Sequence, residues 1–350
     1  GWQLPREPDL VVAMRDEPFE VPAEGVVKYQ YFLVDPHFTE DKWVTAAEIV
    51  PGNRAVVHHV IVFAVPDGKR MDGEHDTLTA YVPGLRVSPY PPGYAKKVPA
   101  GSKLIFQVHY TPVGTPQKDL SQLGLIFADE SQVTHTVFTA TVKNTRLNIV
   151  PYEDDQRFEA RPMATPIDVE LLDLMPHMHL RGKSFRFELT HPDGREAVLL
   201  DVPRYDFNWQ TVYLPLEPLT IAKGSTFRAT ASFDNSRNNL ANPDPAQTVR
   251  WGEQTWDEML IGYFNLAVPR TAESDRIVER FQEATRMQDQ AHRIFQMLDL
   301  NQNGVIDQAE VPQKQREVFE RVDADRDGKV TFEEVLGGLS DLREALMKRR

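Results

Sequence analysis

The sequence predicts a mainly β fold, with two tandem antiparallel β-sandwich (jelly-roll-like) domains followed by a small α-helical module. Three observations predict it. Short runs rich in β-branched and aromatic residues recur from about Val26 to Val268, turn-forming residues separate them, and helical periodicity begins abruptly at Thr271.

In order, the runs are VVKYQYFLVD, KWVTAAEIV, AVVHHVIVFAV, KLIFQVHY, HTVFTATV, SFRFEL, STFRATASF and MLIGYFNLAV. THPDGREAVLL reads as a hairpin that turns at Asp193-Gly194. A β region of about 245 residues suits two sandwiches better than one. The polar stretch LNIVPYEDDQRFEAR marks their division, giving domains over 1–150 and 151–270. In TAESDRIVERFQEATRMQDQAHRIFQML, Ile277, Phe281, Ala284, Met287, Ala291, Ile294, Phe295 and Leu298 recur at helical spacing, opening a third unit over 271–350.

Composition narrows the function. The 350 residues are 41% hydrophobic and 26% charged, the balance of an ordinary soluble protein. A formal charge of −13 disfavours nucleic acid as a partner and favours cations. The absence of cysteine excludes disulfides, thiolate metal sites, iron–sulfur clusters and thiol nucleophiles. No apolar run approaches the roughly 20 residues of a membrane-spanning helix. The opening GWQLPREPDLVV lacks the features of a signal peptide and, beginning at Gly1, reads as a processed or truncated start.

Two loops in the helical unit have the spacing of calcium sites. DLNQNGVIDQAE supplies Asp299, Asn301, Asn303, Asp307 and Glu310, with the carbonyl of Val305 and a turn at Gly304. DADRDGKVTFEE supplies Asp323, Asp325, Asp327, Thr331 and Glu334, with the carbonyl of Lys329 and a turn at Gly328. The region resembles the EF-hand family. Only the 12 residues VPQKQREVFERV separate the loops, so exit and entry helices must share them, and the spacing points to a structural calcium module more than to a sensor.

Five of the ten histidines fall in three compact places. His58 and His59 are adjacent in VVHHVIVF, His109 lies in KLIFQVHY, and His177 and His179 lie in LMPHMHLRG. On a strand, residues two apart share a face, so His177 and His179 can close on one metal while Met178 turns away. Neighbours point apart, so His58 and His59 can share an ion only where the strand bulges or twists, or where the two rings use different nitrogens. His37, His75, His135, His191 and His292 show no such spacing. YDFNWQ and SFDNSRNNLANPDP, rich in aromatic and amide groups, are candidates to line a cleft near the HxH pair.

The order HH, H, HxH and then the EM of WGEQTWDEMLIGYFNL resembles the copper type II, ascorbate-dependent monooxygenases, the family of the peptidylglycine α-hydroxylating and dopamine β-monooxygenases. The resemblance covers roughly Lys28 to Val268. It implies one copper held by His58, His59 and His109, and a second held by His177, His179 and Met259. The second would bind O2 and hydroxylate an aliphatic C–H bond of a small or peptide substrate, and the first would supply an electron. Ascorbate or another donor would re-reduce both, and the two sites would face one another across a solvent-filled cleft. A thioether beside two imidazoles suits Cu(I).

Substrate positions depart from the family. Where the peptide-amidating member has arginine and asparagine, this chain has Met175 and Ile261, while the family's tyrosine is kept as Tyr263; a less polar substrate follows. Missing cysteines favour a bacterial-type relative, and copper with calcium points to an extracytoplasmic (periplasmic or secreted) setting. Two other readings stand beside this one. One is a non-catalytic copper or electron-relay protein with a calcium docking module. The other is a zinc hydrolase at HxH, for which Asp173 is the nearby carboxylate.

Overall fold

The structure is a computed structural model that describes residues 1–68, 76–85, 87–301 and 303–342. It is mainly β, with a small helical C-terminal region. Contacts gather the chain into a larger unit reaching Ile277 and a smaller one from Val278 onward.

The larger unit is built on an eight-stranded sheet. Its order is Leu10–Ala13, Gln122–Ala128, Lys42–Val50, Tyr94–Val98, His135–Lys143, Ile261–Pro269, Val169–His177 and Leu219–Ile221. Strands from either side of the 148–161 segment therefore share one sheet. A four-stranded sheet, Gln30–Val34, Lys103–Tyr110, Val57–Val65 and Asp76–Tyr81, packs on its N-terminal part. Val60, Val62, Phe106 and Val108 from the small sheet meet Val44, Leu123 and Leu125 from the large one in a core closed to water.

A second small sheet covers the C-terminal part. Its main strands are Gln156–Glu159, Thr226–Phe233, Gly182–Thr190 and Glu196–Val202. Phe264 of the large sheet stacks on Phe227 and meets the edge of Phe187. Gly182–Thr190 and Glu196–Val202 form the expected hairpin, with Gly194 at a φ of 85° that favours glycine.

A helix over Ala272–Leu298, which enters the smaller unit at Val278, contributes Ala291, Ile294, Phe295 and Leu298 to a core with Phe319, Phe332 and Val335. Ala284 and Met287, expected on the buried stripe, are exposed. The 12-residue connection forms a 3-10 turn, Gln313–Gln315, and a short helix, Arg316–Val322. Ile306 pairs with Val330 and Asp307 with Lys329, joining the loops by a two-residue ribbon. Among the described residues no helix is long and apolar enough to cross a membrane.

Candidate metal centres

Adjacent histidines on a strand should diverge, and the backbone resolves this with a bulge. Between Val57–Val65 and Lys103–Tyr110 the ladder runs Val57 to Tyr110 and then His59 to His109, leaving His58 as the extra residue. Both His58 and His59 therefore oppose His109. Their rings stand 5.1 and 5.0 Å from that of His109. Val60, Val62, Val108 and Phe106 alternate onto the core face, so the histidines occupy the other face.

The donor atoms converge. One nitrogen from each ring lies within 4.8 Å of the others. The Nδ1 atoms of His58 and His59 are 3.2 Å apart, and Nδ1 of His109 is buried without a hydrogen-bond partner among the described residues. Two nitrogens bound to one ion at about 2.0–2.1 Å stand about 3.3–3.6 Å apart, so this donor set fits a metal. Burial, helped by neighbouring imidazoles, lowers His58 to about 4, and burial lowers His109 to about 4 and His59 well below its usual value. All three are neutral at pH 7, the form that binds metals. Tyr29 covers the cluster, its ring 5.4 Å from that of His59 and 5.0 Å from that of His109, and its hydroxyl donates to the Glu253 carbonyl.

The HxH pair is assembled differently from the simple strand expected. The strand ends at His177, and His179 lies in the turn beyond it, yet the rings remain 5.3 Å apart. Glu258, fully buried, holds that turn: its carboxylate accepts the backbone N–H groups of His179 at 2.8 Å and Arg181 at 2.5 Å. The oxygen that serves His179 also accepts from the backbone N–H of Met259, the next residue along, at 3.3 Å. Met259 precedes the Ile261–Pro269 strand and does not lie within it. Burial raises the Glu258 carboxyl to about 8 against the pull of these donors.

Both rings have an assigned tautomer. Nδ1 of His177 lies 2.6 Å from Oε1 of Gln210, and Nδ1 of His179 lies 3.2 Å from the carbonyl of Asp257. Gln210 cannot be reversed without cost, because its Nε2 donates to the Phe207 carbonyl at 2.9 Å. Oxygens that only accept place the proton on each Nδ1 and leave each Nε2 lone pair available. Burial lowers both rings, His179 to about 3.

Met175, Ile261 and Tyr263 share the face of His177. Met175 pairs with Tyr263, and His177 with Ile261. Asp173, the carboxylate weighed for a hydrolase, is 7% exposed and gives both oxygens to Asn265.

YDFNWQ, expected near the HxH pair from its aromatic and amide content, takes specific roles there. Tyr205 caps both backbone groups of Met178, Phe207 stacks on His58 at 5.0 Å and meets the edge of His179 at 6.0 Å, and Gln210 orients His177. Where a solvent-filled cleft is expected, the Phe207 ring touches a histidine of each cluster. SFDNSRNNLANPDP supports the site from behind: buried Asn235 accepts from the Arg181 guanidinium at 2.8 Å. No local signal marks Tyr29. Of the other histidines, His135 stacks on Tyr94 and His292 on Phe332, while His75 lies outside the described residues.

In the calcium loops the acidic side chains fold inward around the glycine turns. Asp299 accepts from the backbone of Asn303 and Gly304, and Asp323 from that of Asp327 and Gly328. Gly304 and Gly328 have φ of 89° and 83°. Carboxylates of Asp323, Asp325 and Asp327 lie within 4.8 Å of one another.

The EF-hand family model matches residues 292–311 and 316–336, so the smaller unit carries an EF-hand pair, a calcium-binding module. No curated protein matches the sequence. Among solved structures, PNGF-II is 10% identical, with 74% of this chain and 65% of that one covered and a TM-score of 0.32. This chain thus spans 65% of the length of PNGF-II. The major capsid protein P2 of bacteriophage PM2 is 8% identical, with 75% and 99% covered and a TM-score of 0.30. Similarity at this level carries no argument about fold or function.

Proposed function

We propose that the larger unit is a copper-dependent monooxygenase, working in an extracytoplasmic setting, that hydroxylates an aliphatic C–H bond of a small or peptide-like substrate of low polarity. O2 and an ascorbate-like donor are its co-reactants. The observation that carries the reading is the contrast between two neighbouring donor sets. Ring nitrogens of His58, His59 and His109 converge in one, while in the other the His177 and His179 rings lie 5.3 Å apart with each Nε2 lone pair left available.

Bound copper would supply dioxygen binding at His177, His179 and Met259 and one-electron storage at His58, His59 and His109. The chain's own part is positioning. Gln210 and the Asp257 carbonyl keep protons on Nδ1, Glu258 gathers the backbone N–H groups of His179 and Met259, and burial keeps every imidazole neutral. Met175 and Ile261 give the face beside His177 an apolar lining, with the Tyr263 ring 6.3 Å from that of His177. That lining favours a substrate held by apolar contact over one held by its carboxylate.

Copper titration followed by X-ray absorption of the Cu(I) form tests the assignment. Two coppers per chain and one sulfur ligand are expected, and Met259→Ala should lose the sulfur signal and product formation while staying folded. Hydroxylation at full rate in that variant would sink the assignment. Phe207, set between the clusters, favours a second reading as a non-catalytic electron relay; O2 uptake coupled to a hydroxylated product would exclude it.

A further inference from the structure

The strand that carries His177 does not pair regularly with its neighbour. Glu170 pairs with Ala267 and Leu171 with Leu266, but the next pair is Asp173 with Asn265, so Leu172 is an extra residue. The phase of everything after it depends on this. In the observed register Asp173, Met175 and His177 share a face with Asn265, Tyr263 and Ile261, while Leu174 and Pro176 pair with Phe264 and Gly262 on the core face. A regular ladder continued from Leu171 would set Leu172, Leu174 and Pro176 on the site face and turn His177 into the core.

A chain of hydrogen bonds fixes the first residue after the bulge. Asn265 donates its backbone N–H to Asp173 Oδ1 at 3.0 Å and its side-chain amide to Oδ2 at 2.8 Å. Its own carbonyl accepts from the Thr139 hydroxyl at 2.8 Å, and that hydroxyl accepts from the Lys96 ammonium at 2.7 Å. Lys96 also donates to the Thr77 carbonyl at 2.6 Å. Lys96 and Asp173 are 3% and 7% exposed, so both charged groups are removed from water, and the neutral Thr139 and Asn265 link them. The chain crosses four successive strands of the large sheet, from Tyr94–Val98 to Val169–His177.

We propose that Lys96, Thr139, Asn265 and Asp173 form a register pin, with Asp173 the positioning residue that stabilises the Leu172 bulge and so presents His177 to the second donor set. Its functional sense rests on reading His177 as a metal ligand; its structural sense does not. Asp173→Ala removes both acceptors that favour the bulged register.

The test has a metal-free arm and a metal arm. Ring-nitrogen NMR of the metal-free protein reads the His177 Nδ1–H bonded to Gln210, and Cu(I) titration reads the two donor sets separately. Asp173→Ala should lose the His177 signature and weaken Cu(I) at the His177 site by about 10–100-fold, the usual effect of losing a group that orients a ligand. Affinity at the three-histidine site should hold within about twofold, on the same principle that such effects are local. Deleting Leu172 in the Asp173→Ala background makes the ladder regular with His177 in phase, so the signature should return. An unchanged signature in folded Asp173→Ala, or its absence from a folded deletion variant, overturns the pin. So does failure of both variants to fold, since the proposed effect is confined to one strand. A wild-type protein that binds no copper at His177, but whose NMR responses run as expected, removes the metal reading and leaves the pin standing.

Discussion

At the scale of single residues, the second donor set depends on groups that never meet the metal. Gln210 is 1% exposed, and its one carbonyl decides which nitrogen of His177 carries the proton. Gln210→Leu keeps the bulk and removes the acceptor, so the His177 ring is free to turn or to change tautomer. Metal affinity at that site should fall by about 10–100-fold, with the three-histidine site little changed. Competitive titration with a copper chelator measures both; equal weakening at the two sites would show that Gln210 acts through the general fold. Glu258 works by the same logic on the backbone, because its buried carboxylate collects the N–H groups of His179, Arg181 and Met259. Removing it would free three donors inside the protein, a loss of fold as well as of geometry.

At the scale of elements, both histidine sites use a β-bulge to turn side chains onto one face, at His58 and at Leu172. Only the first was legible in the sequence, because two adjacent histidines demand an irregular backbone if they are to act together. VELLDLMPH has no such signal: its leucines fit a buried strand in either phase, and the register is decided by Asn265, far away in the chain. The strands KWVTAAEIV and KLIFQVHY could be read to the residue because β-branched and aromatic residues fill them between turn formers. The aromatic cover of the sites could not, since Tyr29 and Phe207 reach their histidines only through tertiary packing. Gly262 shows a similar dependence. A Cβ there would stand 2.3 Å from the Phe187 ring, and the residue pairs with Pro176 next to His177. Gly262→Ala should therefore cost about 1–3 kcal/mol by overpacking, measured by denaturant unfolding. An unchanged midpoint would mean that the Phe187 ring has room to retreat.

At the scale of the whole molecule, the two units draw stability from different sources. The larger has extensive sheet cores, whereas the smaller has one compact apolar cluster beneath two loops that gather negative charge. Carboxylates this close repel one another until a cation enters, so calcium should stabilise the smaller unit directly. The loops should not contribute equally. The first has the carboxylates Asp299, Asp307 and Glu310 with two asparagines, and the second has Asp323, Asp325, Asp327 and Glu334. Greater ligand charge predicts tighter binding at the second. Calcium at 100 times its dissociation constant adds about 2.7 kcal/mol for one site, enough to move a thermal transition of a small unit by many degrees. Calorimetry with calcium and with chelator should show that shift in the wild type. Glu334→Gln should remove more of it than Glu310→Gln, because it takes the charged twelfth-position ligand from the more acidic loop, while the glutamine can still serve the capping box with Thr331. The reverse order, with Glu310→Gln the more damaging, would show that loop geometry outweighs ligand charge in this pair.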